Sequence, residues 1–170
     1  QLVNIFKAIF GVNDKLYTTQ YTLSNNTKVD LMLFFFFLLG KVGIDSKFPL
    51  ENYQRLVESH GAANLVFEKQ FKLDIKKHID DISAKYIIEG ETAEYAILFL
   101  PAEAIFAHIN AYYQDVVEYA YAKKVWLTSP TTLMAMLTTL QVVLRNIERD
   151  KYAMVIREEL NGLSREFNGY

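Results

Sequence analysis

Residues 28–47 have the sequence KVDLMLFFFFLLGKVGIDSK, and this stretch decides the fold. Residues 29–38 are apolar on both faces of an extended chain apart from Asp30. That pattern is typical of a strand in the middle of a sheet that helices cover on both sides. Gly40 predicts a turn, and residues 41–47 predict the return strand of a hairpin.

Of the five charged residues in this stretch, Asp30, Asp45 and Lys47 are the informative ones. Side chains alternate along a strand, so Asp45 and Lys47 should point to one face. A turn near Gly40 places Asp30 on the neighbouring strand, opposite the Lys47 end. Charges in central strands are costly unless they are paired or bind a metal. The hairpin therefore predicts a cluster of two carboxylates and one ammonium group at its open end.

Such a cluster suits hydrolysis of phosphodiesters. Mg²⁺ is usually held by one or two carboxylates together with substrate phosphate and water, and a lysine beside the attacking water stabilises developing charge. We therefore predict Asp30, Asp45 and Lys47 as catalytic residues, with Asp30 and Asp45 as ligands of Mg²⁺ or Mn²⁺. An Asp, a spacer and Asp-x-Lys form the signature of PD-(D/E)xK nucleases. The alternative is structural: Asp45 and Lys47 form an ion pair, and Asp30 caps a strand.

Outward from the hairpin, helical and extended patterns alternate along the chain. This order favours an α/β/α sandwich with a mixed sheet, of the restriction-endonuclease-like class. Without a linker or repeat, residues 1–170 are predicted to form a single domain. The other predicted elements are a helix over residues 2–9, a strand over 16–23, a helix over 51–60, a helix with Phe71, Ile75, Ile79, Ile82 and Tyr86 on one face, a strand over 95–100, a helix with Ile105, Ile109, Tyr112 and Val116 on one face, a strand over 125–128, and a helix from Ser129-Pro130 to about Phe167 with a break near Asp150.

Composition narrows the classes of function. Hydrophobic residues make up 51% of the chain and charged residues 22%, which is typical of a folded domain. The lack of cysteine excludes disulfides, thiolate metal sites and cysteine nucleophiles. The net charge of −2 means that DNA contacts must come from local lysines. The longest apolar run, residues 31–39, is shorter than the about 20 residues of a membrane span, so we expect a soluble, cytoplasmic chain.

Four stretches, in this order, resemble the motifs of the RmuC family: IDSKFPLENY at residues 44–53, ISAKYI at 82–87, TAEYAILFLPAE at 92–103 and SPTTL at 129–133. The resemblance implies a role in DNA recombination and rearrangement, with DNA as the partner and a nuclease-like core. It also suggests Lys85 and Tyr86 for phosphate contact and base stacking. Gln54, one turn past Lys47, is a further candidate for contact with DNA. No small-molecule cofactor is expected.

The chain departs from the family pattern at two points. Val29 stands where a proline is usual before Asp30, and the chain begins after the point where members carry a Trp-Gly-Glu segment. Its first residues, Gln-Leu-Val, predict a fragment of a longer protein. Full-length members carry an N-terminal membrane anchor and a long coiled coil, which implies attachment to the inner face of the cell membrane and coiled-coil oligomers. The alternative function is a non-catalytic DNA-binding or scaffold module that retains the nuclease fold.

Overall fold

The computed structural model describes residues 1–35 and 40–169, which form a five-stranded mixed sheet with helices on both faces. The spatial order of the strands equals their order in the chain. The strands are β1 Tyr17–Thr22, β2 Lys28–Phe35, β3 Gly40–Asp45, β4 Ala96–Phe99 and β5 Val125–Thr128. The helices are α1 Leu2–Phe10, α2 Leu50–Glu58, α3 Ala62–Tyr86, α4 Glu103–Tyr112, α5 Gln114–Ala122 and α6 Pro130–Asn168.

The predicted hairpin is the centre of the sheet. β2 pairs with β3 in antiparallel register, from Phe35 opposite Gly40 to Leu31 opposite Ile44. The tip of the hairpin, residues 36–39, lies outside the described residues, and Gly40 opens β3 with a left-handed φ of 78°. β3, β4 and β5 are parallel to one another. Helices connect them, and each connection returns the chain to the end of the sheet at which the preceding strand began.

Alternation along the strands sorts the core into two layers. One layer joins Met32 of β2 and Leu98 of β4 to α3, and the five predicted apolar residues of α3 are all buried there. The opposite face of the sheet, with Leu31 and Ile44, is buried as well. The predicted sandwich of helices around a mixed sheet is therefore confirmed, and burial of each large apolar side chain contributes roughly 1.5–3 kcal/mol.

The regular alternation fails near Asp30. Gln20 has a left-handed φ of 53°, and the register places it opposite Asp30, between the pairs Thr19–Leu31 and Tyr21–Val29. Val29 and Tyr21 consequently belong to the α3 layer, although Leu31, two residues from Val29, does not. A left-handed conformation is uncommon for residues other than glycine, so this kink is a specific feature of the sheet beside Asp30.

The predicted helix over residues 105–116 is wrong in one respect, since two helices occupy this region. Tyr113 leaves the helical conformation, with φ −120° and ψ 59°, and inserts its ring into the core against Phe71 at 6.0 Å between centroids. Tyr112, which the pattern placed on the buried face, is 73% exposed, whereas Tyr113 is 2% exposed. Ile109, Tyr113 and Val116 are spaced four and three residues apart, as on one face of a regular helix, so their spacing along the chain contained no signal for the break at Tyr113.

The chain divides into two compact units, Gln1–Met134 and the remainder from Ala135 onwards. Helix α6 is continuous from Pro130 to Asn168, so the predicted break near Asp150 is wrong. The residues around Asp150 include neither proline nor glycine, and most of them are good helix formers. The side chains of residues 148–169 are exposed. Within the described part of the chain, no helix has the length and apolar character needed to cross a membrane.

Candidate functional site

The two aspartates of the hairpin meet at one end of the central strands. Continuing the β2–β3 register one pair beyond Leu31–Ile44 sets Asp30 opposite Asp45. Their carboxyl groups interact through a side-chain hydrogen bond. Asp45 is only 4% exposed, and Asp30 is partly buried. Two acidic groups thus share a poorly solvated site at this end of the central strands.

Backbone donors hold both carboxylates in place. Oδ2 of Asp30 accepts hydrogen bonds from the amide of Ser46 at 3.0 Å and from its hydroxyl at 3.1 Å. Oδ1 of Asp45 accepts one from the amide of Lys47 at 3.0 Å. These side-chain acceptors take amide protons that a strand would offer to its neighbour. The predicted strand over residues 41–47 therefore ends at Asp45, and the exposed Lys47 lies in the loop that follows.

The environment drives the pKa values of the two carboxyl groups apart. Burial, the hydrogen bond with Asp30 and the charge of Asp30 raise the pKa of Asp45 above its usual value. Burial also acts to raise the pKa of Asp30, but hydrogen bonds from Asp45 and Ser46, with the charge of Lys47, hold it below its usual value. The two groups titrate as a pair, in which Asp45 is the partner that keeps its proton more readily.

Tyr86 closes the site from the last turn of α3. Its hydroxyl donates to the carbonyl of Lys28 at 3.3 Å, and its Cβ lies near the point where a Cβ on Gly43 would be. Burial, with the charges of Asp45 and Asp30, raises the pKa of Tyr86 to about 12. Tyr86 is 6% exposed, so it serves here as a protonated, buried wall beside the carboxylates.

His78 was not predicted from the sequence to belong to the site. Nε2 of His78 lies 3.8 Å from Oδ2 of Asp45, and this nitrogen is buried without a hydrogen-bond partner among the described residues. The signal in the sequence was its position: His78 comes three residues after Ile75 and four before Ile82, at the margin of the buried face of α3.

An open cleft of about 360 Å³ is lined by two neighbours of the carboxylate pair, namely Lys47, whose charge acts on Asp30, and His78, which lies against Asp45. Within the described residues, the structure records no ion pair for the ammonium groups of Lys47 or Lys77. The lysines of α3 thus differ, because Lys72 and Lys76 pair with Asp115. The residues that line the cleft are Lys47, Phe48, Pro49, Asp74, Lys77, His78 and Asp81.

The residues present fit a magnesium or manganese ion in one specific way. Across residues 1–35 and 40–169, no three His, Asp or Glu side chains come together as a ready ligand set. Mg²⁺, however, commonly uses one or two carboxylates and completes its shell with water and substrate phosphate. The buried pair of Asp30 and Asp45, one of which resists ionisation, has the charge arrangement that a divalent cation would neutralise.

The other candidate residues lie apart from the cleft lining. Lys85 is exposed at the C-terminal end of α3, where its carbonyl accepts a hydrogen bond from Asn25 at 2.9 Å. Gln54 is exposed on α2. The structure therefore brings Asp30, Asp45 and Lys47 together, whereas Lys85 and Gln54 occupy separate places on the surface.

Comparison with known proteins gives a consistent result. The RmuC family model matches residues 1–170. The protein named DNA recombination protein RmuC homolog from Xylella fastidiosa is 29% identical over 133 residues, which cover 75% of this chain and 29% of that protein. Proteins of the same name from Chlamydia muridarum and Neisseria meningitidis serogroup A are 33% identical over 102 residues and 27% over 136, covering 59% and 76% of this chain and 23% of each relative. The chain thus spans less than a third of these relatives, and no solved structure matches it significantly.

Proposed function

Because this chain belongs to the RmuC family, we propose that it is a metal-dependent nuclease domain that cleaves DNA phosphodiester bonds during recombination. The observation that carries the proposal is the pair of the buried Asp45 and the partly buried Asp30, with Lys47 next to it and without an ion-pair partner among the described residues. Titratable groups with pKa values pushed apart at the edge of a cleft are typical of catalytic sites. The names of the matched relatives support a role on DNA.

Asp30 and Asp45 would hold the Mg²⁺ or Mn²⁺ ion. When bound, the ion would polarise the scissile phosphate and lower the pKa of a coordinated water. Ser46 orients Asp30 through two hydrogen bonds, and the amide of Lys47 orients Asp45. This preorganisation matters because a carboxylate that must rotate to bind costs part of the rate enhancement.

Lys47 supplies a positive charge next to the reacting phosphate. Its charge already lowers the pKa of Asp30, so the ammonium group lies close enough to interact with charge at the pair. In the transition state of phosphodiester hydrolysis, negative charge builds on the phosphoryl oxygens, and a fixed cation there lowers the barrier. Lys47 is the side chain in this cluster suited to that role.

DNA would be held by lysines beyond the carboxylates. Lys85 is exposed and would contact a phosphate, and Gln54 would contact the strand from α2. Phosphate contacts position DNA without reading its sequence. We assign this activity to the cytoplasm, with any membrane attachment or coiled-coil assembly belonging to other parts of a longer protein. The buried Tyr86 is omitted from the proposed DNA contacts.

The second candidate is a DNA-binding or scaffold module that retains the fold without catalysis. Two observations favour it: no third ligand side chain joins Asp30 and Asp45 among the described residues, and the net charge of −2 provides no general attraction for DNA. On this alternative, the cleft would bind a DNA strand, and the carboxylate pair would have no role in bond cleavage.

A cleavage assay separates the two functions. Labelled single-stranded, duplex and branched DNA are incubated with the chain in Mg²⁺ or Mn²⁺, beside Asp45→Asn, Lys47→Ala and the control Lys76→Ala. We expect cleavage by the unaltered chain, a loss of at least about a hundredfold in rate for the two site variants, and full activity for the control. DNA binding without cleavage in either metal would favour the scaffold. Cleavage that survives Asp45→Asn would refute the site.

A further inference from the structure

The lysines of α3 differ in whether their charge is already neutralised. Lys72 and Lys76 lie 3.3 and 3.4 Å from the carboxylate oxygens of Asp115. Lys77 follows Lys76 directly, yet it lines the cleft and makes no ion pair among the described residues. Asp74 and Asp81 are its neighbours on the helix, but neither pairs with it. The charge of Lys77 is therefore available to an anion that enters the cleft.

Two more features of the cleft wall point to a ligand. The buried Nε2 of His78 has no hydrogen-bond partner among the described residues, although buried polar atoms are nearly always satisfied. Lys47 reaches the same cleft from the loop after β3. Two ammonium groups without ion-pair partners among the described residues thus border one space, whose lining also includes His78, the neighbour of Asp45.

Part of the cleft lining is apolar. Phe48 and Pro49 line the cleft, and Phe48 meets the buried Phe71 edge-on at 5.9 Å between ring centroids. Phe48 is partly exposed, so part of its ring remains accessible from the cleft. Cationic side chains together with an accessible aromatic ring are the combination that binds the phosphate and the base of a single nucleotide.

Size and charge restrict the occupant further. The volume of about 360 Å³ is near the lower end of the roughly 300–1,000 Å³ typical of ligand pockets. A space of this size suits a single nucleotide, and an unpaired one enters it more readily, because a paired base must first unstack and leave its partner. Asp74 and Asp81 also line the cleft and repel phosphate, which leaves the Lys47–Lys77 side as the place for the phosphate group.

We propose that this cleft binds one nucleotide of an unpaired DNA strand, with Lys77 contacting its phosphate and Phe48 stacking on its base. The inference rests on the proposed function for its biological meaning, since it places that nucleotide next to the bond cleaved at Asp30 and Asp45. The substrates would then be single strands, frayed ends and branch points, and Lys77 would be a determinant of that specificity.

The test is a binding titration in EDTA, where cleavage cannot occur. Fluorescence anisotropy of a labelled oligothymidylate is followed at several salt concentrations for the unaltered chain, Lys77→Ala and the matched control Lys76→Ala. We expect Lys77→Ala to weaken binding about tenfold and to reduce the slope of log K against log salt by about 0.7, the value for one single-strand phosphate contact. Lys76→Ala should change neither quantity, because its charge is neutralised by Asp115.

Two further variants separate the parts of the cleft. Phe48→Leu keeps an apolar side chain against Phe71 and should weaken binding without altering the salt slope, since stacking releases no counterions. Asp81→Asn should tighten binding, because it removes a charge that repels phosphate. Blunt duplex DNA should bind more weakly than the oligothymidylate and should not respond to Lys77→Ala.

The outcomes distinguish this inference from the proposed function. Equal losses for Lys76→Ala and Lys77→Ala, or equal effects on single-stranded and duplex DNA, would overturn the nucleotide site and leave the cleavage proposal intact. A selective loss of single-strand binding by Lys77→Ala, in a chain that cleaves DNA in neither metal, would support the nucleotide site and contradict the proposed nuclease activity. Unchanged binding by Lys77→Ala would overturn the inference whatever the cleavage assay finds.

Discussion

Two charged regions border helix α3, and they differ in what their charged side chains contact. In the region that faces α5, opposite charges are matched: Lys72 and Lys76 pair with Asp115, and Asp80 contacts Lys123 at 3.6 Å and accepts a hydrogen bond from Tyr119 at 2.5 Å. These carboxylates are nearly half exposed. The charges of this region satisfy one another at the surface of the fold.

The region that faces β3 has the opposite arrangement. Asp45 is buried against a second carboxylate, that of Asp30, while the ammonium groups of Lys47 and Lys77 have no ion-pair partner in the described part of the chain. Exposed ion pairs contribute about 0–1 kcal/mol each, but buried like charges reduce stability. Groups with shifted pKa values beside a cleft are typical of functional sites, which supports the proposed function, whereas the matched region needs no explanation beyond solvation.

The largest effect that would sharpen this comparison is stabilisation by metal. Mg²⁺ at about a hundred times its Kd should stabilise the unaltered chain by about 2.7 kcal/mol, because it binds the folded state alone. Asp45→Asn should lose most of that gain, and Asp115→Asn should retain all of it. Thermal melting with and without Mg²⁺ measures the difference. The same response in all three chains would mean that the two regions do not differ in metal binding.

A smaller effect concerns pH in the absence of metal. Stability should fall as the pH rises through the raised pKa of Asp45, because the protonated carboxyl group that hydrogen-bonds to Asp30 is then replaced by a second negative charge. Asp45→Asn, whose amide donates to Asp30 at every pH, should remove this fall and should equal or exceed the unaltered chain at neutral pH by up to about 1 kcal/mol, the scale of cross-strand pairs. Urea denaturation across the pH range gives the free energies of unfolding.

The lowered pKa of Asp30 should change the free energy of unfolding in the opposite direction in the same experiment. The stabilisation from ionised Asp30 should be present above its usual pKa and lost as the pH falls through the lowered value.

If Asp45 and Lys47 instead form a structural ion pair, Asp45→Asn should cost on the order of 3 kcal/mol at neutral pH. A loss of that size would return the cluster to a structural role.

The smallest expected effect belongs to the matched region. Asp115→Asn should reduce the free energy of unfolding by less than about 1 kcal/mol at low salt, since exposed pairs contribute little, and the difference should shrink as salt screens the charges. Denaturant titration at low and high salt is the measurement. A salt-independent loss well above that limit would show that Asp115 supports the fold as strongly as a buried group, and the contrast between the two regions would then be lost.

Much of the fold could be predicted because burial follows local patterns. The apolar strand after Lys28, the five buried positions of α3 and the strand over residues 125–128 all appear in the periodicity of their own segments. The failures occur where side-chain contacts, which periodicity does not report, accompany a change in the backbone. At the break between α4 and α5, Tyr113 packs against Phe71, and at the end of β3 carboxylate oxygens of Asp30 and Asp45 accept the amide protons of Ser46 and Lys47.

The candidate site divides in the same way. Asp30 and Asp45 could be paired from the sequence because one hairpin carries both, and a hairpin's register depends on residues close together in the chain. His78 and Lys77 reach the site from α3, more than thirty residues further along the chain. The polar face of α3 contains Lys69, Lys72, Lys76 and Lys77. The sequence pattern contained no signal to separate Lys77 from Lys76.

The sequence by itself determined that two carboxylates and a lysine meet at the end of an apolar hairpin, because alternation along paired strands leaves few other arrangements. Only the tertiary structure decided that Asp45 lies under His78, and that Lys77 borders a cleft while Lys76 is neutralised by Asp115. Successive helical residues point about 100° apart, so the direction of each charge depends on how α3 packs against the sheet and α5. That packing is a property of the whole core.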